Sequence, residues 1–507
     1  MEYSVALEAS LAESLEGLLL ADPNNESLTF ALWRPARGHV RLTALLFRDI
    51  PPKPGEVLQH GNVDATPEYA DRALEAARTL NAGLAMVHSH PDGRGWQELN
   101  KTDFATEHTL LARQTFGVTG HPLVGLTLSG DRIWSARIYP KLVEVGVGYE
   151  PCTSVRVVGK RLRVSYNPSR LPPPKIGDAL TRTTSVWGNS AQQDLMRLRV
   201  GVIGLGSVGM VVVESLSRMG VIDLRGLDFD IVENHNRDRL LGATKEDSRA
   251  GLKKTLLAKR NAEAAFTADG AEFSDFDASI VEEAGYRTAL DCDVLFSCAE
   301  GNWPKQVLNH LAYANLIPVL DGGVNFKIDE RSQLRHGGFR AATLGPGHIC
   351  GECIPMYRTD RIQLERDGHI FRKEYIEKLS PEMQEDLRQE RFNVFPFAAS
   401  LASIEVMQFA EMVTGLANKW DFGVQQFEYK NGELQKVPTL TKCGLGCPFP
   451  GIVAQGDAST PVLGTDRLKE KLNRELAKSR PSRRRHCQTV MKFRLNRRKT
   501  VSRGVVP

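Results

Sequence analysis

The spacing of apolar residues over positions 1–145 predicts a small domain that mixes strands with helices. Five segments alternate apolar and polar residues as strands do: LTFALW, VRLTALLF, AGLAMVH, PLVGLTLS and RIWSARIY. Two others, DRALEAARTLN and TEHTLLARQTF, repeat apolar residues at helical spacing. The chain opens on SVALEASLAESLEGLLLA, where Leu7, Leu11, Leu15 and Leu18 also follow a helical repeat, so we expect a helix there.

The rest of the chain divides into three further segments. Residues 146–179 include NPSRLPPPKIGD, whose proline run sustains neither a helix nor a central strand, so a linker is predicted. Between 180 and 455, strand, glycine-rich turn and helix follow one another, which predicts a parallel sheet covered by helices. Residues 456–507 are rich in Arg and Lys without apolar periodicity, and we predict a disordered tail. The predicted fold class is α/β, with two domains.

Composition and charge are typical of a soluble cytoplasmic protein. A chain of 507 residues with 41% hydrophobic and 25% charged residues exceeds what one core usually serves. Its apolar runs stay below the roughly 18 residues of a membrane span, and its first helix lacks a basic start, so we expect neither membrane insertion nor a signal peptide. From Asp466 onward there are 15 Lys/Arg against 3 Asp/Glu. Aromatic residues do not interleave with these cations, which favours a solvated arm over nucleic-acid binding.

Two histidines and an aspartate in HSHPDGRGWQELNKTD predict a catalytic zinc site. His88 and His90 are one residue apart on a predicted strand, so their side chains leave the same face. Asp103 begins the next predicted helix, where the helix dipole favours a carboxylate. Two His and one Asp leave the fourth tetrahedral position of zinc open for water, which the metal turns into a nucleophile near neutral pH. The alternative is a pair of packed or surface histidines.

These residues resemble the JAB/MPN (JAMM) metalloprotease family, whose pattern is an upstream Glu, then His-x-His-Pro, a Ser, and an Asp three residues after the Ser. The resemblance implies a cytidine-deaminase-like fold over 1–145 and cleavage of a peptide or isopeptide bond. It assigns the general base to Glu26, with Glu56 in the loop-like PPKPGE as the weaker candidate. Asn100 stands at the Ser position, and its amide still donates a hydrogen bond to a developing oxyanion.

The segment RVGVIGLGSVGMVVVESL predicts a strand that turns into a nucleotide-binding helix. Gly204, Gly206 and Gly209 follow the Gly-x-Gly-x-x-Gly order, which lets the backbone approach a phosphate at a helix N-terminus. Asp228, about 20 residues further on, is placed to hold a ribose hydroxyl. This fingerprint alone fits a dehydrogenase equally well.

The residues that follow resemble the ThiF/MoeB and ubiquitin-activating-enzyme superfamily. After the acidic strand end come four polar or cationic residues suited to a triphosphate: Asn236, Arg237, Arg239 and Lys254. The resemblance implies a Rossmann-like domain over 180–455 in which these residues bind ATP and adenylate a C-terminal carboxylate, with either arginine filling the family's arginine position. It also implies Mg²⁺ near Glu300, which replaces the family's Asp, and a homodimer in which Arg182 reaches the partner's ATP site.

Eight cysteines are too few for a disulfide scaffold in a chain of this length. Four of them stand in two pairs, CGEC and CGLGC, and thiolates this close repel unless a cation neutralises them, so Cys350, Cys353, Cys443 and Cys447 predict a structural zinc site. Residues 354–442 contain no cysteine, so we expect adenylation without a stable internal thioester. Cys487, beside Arg485 and His486, is the less favoured candidate for a reactive thiol, and a serine acceptor remains an alternative.

The two motif sets make sense together if both act on one ubiquitin-like β-grasp protein, as their resemblance to bacterial ubiquitin-like modification systems implies. The first domain would trim or remove the modifier, and the second would activate its freed C-terminus with ATP and Mg²⁺ for a separate conjugating enzyme or acceptor. One alternative is an adenylyltransferase of the sulfur-carrier type, with the JAB-like domain a non-catalytic docking module. The other is a Rossmann oxidoreductase.

Overall fold

Residues 2–166 form a nine-stranded mixed sheet, a small hairpin and four α-helices. The computed structural model describes residues 1–59, 63–140, 148–329, 331, 333–368, 373–389, 392–417 and 422–464. The strands are β1 (Glu2–Glu8), β2 (Leu28–Arg37), β3 (Arg41–Ile50), β4 (Val57–Gln59), β5 (Val63–Ala65), β6 (Gly83–His90), β7 (Val124–Ser129), β8 (Trp134–Ile138), β9 (Glu150–Pro151), β10 (Ser154–Val158) and β11 (Leu162–Tyr166). The helices are α1 (Ala9–Leu19), α2 (Pro67–Thr79), α3 (Lys101–Phe104) and α4 (Arg113–Thr119), with a π-helical segment, Ala105–Ala112, between α3 and α4. The strand order is β11-β10-β1-β3-β2-β6-β7-β8-β9.

Both faces of this sheet are buried. Since successive side chains of a strand point to opposite faces, neighbouring residues pack into different cores. Trp33 of β2 packs with Leu15 of α1 in one core. The neighbouring residue Leu32 packs with Tyr69 of α2 in another. Burying a side chain of this size contributes about 1.5–3 kcal/mol. The five strands and two helices predicted between positions 28 and 138 are confirmed.

Two predictions for this half of the chain are wrong. The opening helix begins only at Ala9, because residues 2–8 form β1 between β3 and β10, with Val5 and Leu7 in the core. The predicted linker, 146–179, contains the strands β10 and β11, which close the edge of the sheet. Its proline run begins after these strands, so the sequence signal for a linker applies only to its last part.

Residues 199–436 form an eight-stranded sheet. Its strands are β12 (Arg199–Ile203), β13 (Asp223–Leu227), β14 (Glu272–Phe276), β15 (Val294–Ser297), β16 (Val319–Ile328), β17 (Leu334–Leu344), β18 (Gln425–Glu428) and β19 (Glu433–Lys436). The helices are α5 (Thr181–Met196), α6 (Ser207–Arg218), α7 (Lys245–Ala250), α8 (Lys254–Ala265), α9 (Glu283–Leu290), α10 (Asn302–Ala314), α11 (Thr359–Arg366), α12 (Lys373–Ile376), α13 (Pro381–Gln389) and α14 (Phe395–Thr414).

The second sheet is parallel in one half and antiparallel in the other. Its order is β14-β13-β12-β15-β16-β17-β18-β19, and the first five strands in this order pair in parallel. The predicted parallel sheet is therefore confirmed for β12–β16 and continues into three antiparallel strands. The order β13-β12-β15 reverses direction at β12, and ligands of such sheets bind at the carboxyl ends of the strands where the order reverses.

A buried ion-pair network joins the two sheets. Asp293, just before β15, accepts hydrogen bonds from Arg41 of β3 at 2.7 Å and Arg156 of β10 at 2.6 Å. Arg199 of β12 pairs with Glu2 of β1 at 3.2 Å. Residues 1–462 accordingly form one compact unit.

The end of the chain falls largely outside the described residues. A second unit begins at Leu463, of which residues 463 and 464 are described, so the predicted basic tail and Cys487 are not. The predicted disorder is wrong for residues 456–458, which form a 3₁₀ turn where Asp457 pairs with Arg37 at 2.7 Å. Among the described helices, none combines the length and apolar character needed to cross a membrane.

Candidate functional site

Strand β6 and helix α3 bring His88, His90 and Asp103 together. The Nε2 atoms of His88 and His90 are 3.3 Å apart, and each lies 3.4 Å from Oδ2 of Asp103. The two imidazoles share one side of β6 because they are two residues apart on a strand. The His88 side chain is 1% exposed, and those of His90 and Asp103 are 15% exposed, so the three atoms form a half-buried triangle.

The triangle has the dimensions of one face of a zinc tetrahedron. Metal–ligand distances of about 2.0–2.1 Å separate the corners of a tetrahedron by about 3.3–3.4 Å. Oδ2 of Asp103 is buried and faces the Nε2 atoms of His88 and His90, as expected of an atom placed to share a metal ion with them. Burial acts to raise the pKa of the Asp103 carboxyl, but hydrogen bonds and charge from His88 and His90 hold it well below its usual range. The residues present therefore fit Zn²⁺.

The second ring nitrogen of His90 has a partner that orients the ring. Nδ1 of His90 lies 3.3 Å from Oε1 of Gln97. The Gln97 amide nitrogen donates to the carbonyls of Arg94 and Gly95, which turns the amide oxygen toward His90. A proton on Nδ1 leaves the lone pair of Nε2 aimed into the triangle, as metal-binding histidines require.

Glu26 and Asn100, the two predicted catalytic groups, differ in how they lie toward this triangle. Oε1 of Glu26 is 3.7 Å from Nε2 of His90, and its side chain is 33% exposed, so it borders the triangle from the solvent side. Oδ1 of Asn100 accepts a hydrogen bond of 2.8 Å from the backbone N–H of Asp103, so it caps α3 and leaves its amide nitrogen as the donor. Glu56 is held by Arg72 in an ion pair, which removes the weaker candidate for the general base.

The glycines of the second motif shape the turn between β12 and α6. Gly204 has φ +91°, and a Cβ there would lie 2.6 Å from the backbone nitrogen of Ala299. A Cβ on Gly209 would lie 2.0 Å from the carbonyl oxygen of Gly204. A Cβ on Gly206 would point into open space, so a ligand can approach the N-terminus of α6, where helices bind phosphate.

Asp228 and Lys254 meet at the carboxyl ends of the strands. The Asp228 carboxylate accepts backbone N–H bonds from Leu205 and Asp230, both at 2.7 Å. Lys254 Nζ lies 2.7 Å from Asp230 and 4.0 Å from Asp228. Burial raises the pKa of Asp228, while Lys254 acts to lower it. Glu300 follows Ala299, whose backbone packs against Gly204, and it also interacts electrostatically with Lys254.

The remaining predicted nucleotide ligands are not drawn into this cluster. Asn236 caps a 3₁₀ turn by accepting from the backbone N–H of Glu233 at 3.0 Å. Arg237 is exposed and donates to Asn234 at 3.2 Å. Arg239 donates to the carbonyl of His235 and to Asp238, both at 2.8 Å. Arg182 is exposed on α5, and its predicted role in a dimer stays a prediction.

The four paired cysteines come together as predicted. Their sulfur atoms lie within 4.8 Å of one another, and Sγ of Cys350 and Cys447 are 3.5 Å apart, near the roughly 3.8 Å that Zn–S bonds of about 2.3 Å require. Backbone N–H groups of Cys350 and Cys353 point at Cys443 and Cys350 sulfurs, at 3.3 and 3.4 Å. Such donors stabilise thiolates, so the residues fit a closed structural zinc site.

The other described thiols are poor nucleophiles. Burial raises the pKa of Cys152 and of Cys292 to about 12, and it raises that of Cys298 well above its usual value. A thiol reacts as its thiolate, so a raised pKa keeps these three in the inert form.

Several residues beside the two sites carried no sequence signal. Thr127 of β7 lies 3.3 Å from Nε2 of His88, Gln97 orients His90, and Asp230 holds Lys254. Asn393 donates to Ser207, the first residue of α6, at 2.7 Å. Gln97 lies inside the HSHPDGRGWQELNKTD segment and Asp230 lies two residues after Asp228, but nothing in their spacing marked them as supporting groups.

Comparison with known proteins identifies part of the chain. Residues 180–350 match the model of the ThiF family, so this segment is a ThiF family domain. No curated protein matches the sequence.

Solved structures give weaker similarity. A structure of Escherichia coli MccB with ATP is 14% identical, covers 54% of this chain and 75% of its own, and has a TM-score of 0.41. A structure of the Microcin C7 biosynthetic enzyme MccB with N-formylated MccA has the same identity and coverage and a TM-score of 0.40. TcdA (CsdL) is 23% identical over 31% of this chain and 64% of its own, at a TM-score of 0.27. Nothing about the activity of this chain follows from these superpositions.

Proposed function

We propose that the domain spanning 180–455 adenylates the C-terminal carboxylate of a ubiquitin-like β-grasp protein. A carboxylate oxygen attacks the α-phosphorus of ATP, the bond to the bridging oxygen breaks, and pyrophosphate leaves with that electron pair. The products are an acyl-adenylate and pyrophosphate. Mg²⁺ would neutralise the phosphate charge, and we assign its protein ligand to Glu300, which follows the Ala299 backbone that packs against Gly204.

The position of Lys254 is the observation that carries this proposal. Its ammonium group lies between Asp228 and Asp230 at the open end of α6, next to where the backbone approaches phosphate. A cation held there stabilises charge that develops on the α-phosphate.

Exchange of labelled pyrophosphate into ATP tests the proposal, with a purified ubiquitin-like β-grasp protein that ends in a free C-terminal carboxylate as the substrate. Lys254→Ala is expected to lower the exchange rate by about 10²–10³, the usual cost of one electrostatic group. Lys253→Ala is the matched control, because Lys253 is exposed and pairs with Asp277 instead. Exchange that is insensitive to Lys254→Ala, or NAD binding without ATP binding, would overturn the proposal.

We further propose that residues 1–145 cut a peptide or isopeptide bond after the same C-terminus. The triangle of His88, His90 and Asp103 supports this, since it fits zinc with one position open. Bound zinc would lower the pKa of a water molecule and polarise the scissile carbonyl. Glu26 would take the proton from that water and pass it to the leaving amine, and the Asn100 amide would donate to the oxyanion.

Cleavage of a modifier with a C-terminal extension tests this second activity by intact-mass spectrometry. His88→Ala is expected to abolish both cutting and zinc binding at the triangle. His121→Ala is the matched control, because His121 is a partly buried imidazole of the same domain that packs on Trp33. If His88→Ala cuts at the wild-type rate, the triangle is not the cutting site and the proposal is overturned. If the wild type itself does not cut, the domain is a docking module and the sulfur-carrier alternative gains support.

Together these steps produce a mature modifier and then its acyl-adenylate, which a separate conjugating enzyme or acceptor would receive. We expect no covalent bond between modifier and enzyme, because the described thiols outside the four-cysteine cluster have raised pKa values, and two of them, Cys152 and Cys292, are buried. Intact mass of the enzyme after reaction tests this, and a covalent adduct would point to Cys487 or to a serine. The expected homodimer is tested by light scattering, and its use of Arg182 by Arg182→Ala.

A further inference from the structure

A buried polar chain lies directly behind the His88 triangle. Thr127 of β7 places its hydroxyl oxygen 3.3 Å from Nε2 of His88. That oxygen accepts a hydrogen bond of 2.9 Å from Nη1 of Arg137, on β8. The Arg137 side chain is 4% exposed, so it is fixed by protein contacts.

The other side of Arg137 is held by the segment that follows Asp103. Glu107, with no exposed surface, receives Nε of Arg137 at 2.7 Å and pairs with Nη2 as well. Tyr139 donates to the same carboxylate at 2.8 Å. A Cβ on Gly125 would lie 2.4 Å from Glu107, so only a glycine leaves room for the Glu107 side chain at this point of the strand. Glu107 lies on the π-helical segment, and such segments are frequent at functional sites.

We propose that Arg137 is a positioning residue of the metal site, which holds the Thr127 hydroxyl against His88 and, through Glu107, fixes the helix that carries Asp103. Two ligands from separate elements thereby keep the spacing that zinc requires. With Nε2 of His88 engaged by a metal ion, the Thr127 hydroxyl would keep its hydrogen bond from Arg137 and would hold the imidazole in place by contact. This proposal rests on zinc binding and not on catalysis.

Zinc affinity of Thr127 variants, measured by competition with a chromogenic chelator, tests the proposal. Thr127→Val keeps the shape and removes the hydroxyl, and is expected to weaken zinc binding about 10–100-fold, as loss of a supporting partner does. Thr127→Ser restores the hydroxyl and the wild-type affinity.

Thr43→Val is the matched control, because Thr43 is another buried strand threonine, bonded to Ser4 at 2.9 Å near the junction of the two sheets. Its zinc affinity is expected to equal that of the wild type, although both Val variants lose a buried hydrogen bond. Wild-type affinity in Thr127→Val, or equal weakening in Thr43→Val, would overturn the proposal. Arg137 itself is a poor target, because its removal leaves the Glu107 charge buried and uncompensated.

A second inference follows independently from where the sheets join. His88 pairs opposite Leu28 at the start of β2, so the metal triangle lies at that end of the strand. The other end of β2 leads into the turn at 38–40, which contacts the ThiF domain: Arg287 donates to the carbonyl of Arg37 at 2.6 Å, and Asp291 accepts from Val40 at 3.2 Å. The ten residues of β2 separate triangle and junction by about 30 Å.

The nucleotide turn lies at the far end of its own sheet. The junction uses the amino ends of the parallel strands, at Arg199 and Asp293, whereas Gly204 and Asp228 lie at the carboxyl ends. The five residues of β12 separate the glycine turn from the junction by about 15 Å. The triangle and the nucleotide turn therefore lie on opposite sides of the junction. A chain spans at most about 3.5 Å per residue, so about 9 extended residues would be needed to cover the length of β2 alone.

The geometry points to release of the cut modifier before activation: the two sites of one chain are too far apart for a C-terminus to pass directly between them. This inference rests on the proposed function. A mixture of His88→Ala chains, which only activate, and Lys254→Ala chains, which only cut, tests it. The mixture is expected to form the acyl-adenylate from precursor as fast as wild-type chains at half the total concentration.

A competition arm gives a second readout. Isotope-labelled precursor is mixed with a tenfold excess of unlabelled trimmed modifier, and release predicts that labelled acyl-adenylate falls in proportion to the dilution. Labelled product that resists dilution, or a mixture of variants that stays inactive, would show direct transfer and overturn the inference. Failure of the proposed function is distinguishable, because trimmed modifier alone would then give no adenylate or precursor alone would stay uncut.

Discussion

Replacing Asp293 by Asn is expected to destabilise the molecule by about 3–5 kcal/mol, the usual cost of breaking a buried ion pair. Asp293 faces Arg41 and Arg156, whose side chains are 2% and 0% exposed. Asparagine keeps the shape of the side chain, and its amide oxygen can still accept from the backbone N–H of Arg199, which lies 2.9 Å from Oδ2 of Asp293. The two guanidinium groups are left in the junction without their counter-charge. Since whole proteins are stable by about 5–15 kcal/mol, the loss is large.

Asp457→Asn is the matched control for this variant. Asp457 pairs with Arg37 at the same junction, but the Arg37 side chain is 50% exposed. Exposed pairs contribute about 0–1 kcal/mol, so the same change of charge is expected to cost little there.

Urea unfolding followed by circular dichroism measures both variants, first at pH 7 and then at lower pH. Burial acts to raise the pKa of Asp293, but Arg41 and Arg156 hold it well below its usual range. A carboxyl with a lowered folded-state pKa adds stability above its unfolded-state pKa, near about 3.9, and this is lost as the pH falls below that value. The unfolding curves of the wild type and of Asp293→Asn are therefore expected to converge below about pH 4. A loss under about 1 kcal/mol at pH 7 would refute the buried-pair reasoning.

Four further variants have defined outcomes. Gly204→Ala is expected to lose both ATP binding and stability, because its Cβ would lie 2.6 Å from the Ala299 backbone. Gly206→Ala is expected to lose ATP binding alone, because its Cβ would point into open space. Calorimetry measures ATP binding by both variants. Cys353→Ser is expected to release the zinc of the four-thiol site and lower the melting temperature while the His88 site keeps its metal, which metal analysis will show. Glu405→Gln is expected to change the free energy of unfolding by less than about 1 kcal/mol, because burial raises the pKa of Glu405 well above its usual value and keeps it neutral; a larger loss would mean that it is charged.

Local sequence predicted the elements that hold the sites but not all of the groups that support them. His88 and His90 followed from a strand with a period of two, and Gly204 followed from a strand–turn–helix pattern, so both signals lie within about a dozen residues. Thr127 reaches His88 only because β6 and β7 pair in parallel, with His88 opposite Thr127. Pairing between distant strands leaves no periodic trace in either one, which is why this contact came from the structure alone.

The errors at the ends of the first domain have the same origin. Residues 2–8 contain apolar residues compatible with both a helix and a strand, and their place between β3 and β10 decides in favour of the strand. β10 and β11 were overlooked because the proline run after them dominates the composition of the segment. For Arg237 and Arg239, the family resemblance supplied a role, but both side chains are bonded within their own loop. Their part in binding ATP stays a prediction that needs the loop to rearrange.

The position of the junction explains how a second domain can be fused to the ThiF domain without blocking it. Open sheets of this kind bind ligands at the carboxyl ends of their strands, so that edge has to stay accessible. Here Asp293 and Arg199 contact the N-terminal sheet from the amino ends, where such sheets bind nothing. A junction made of charged side chains depends on geometry more than an apolar one does, because each charge needs its partner at hydrogen-bond distance. The same contacts that leave the nucleotide turn open therefore also fix the two sites apart.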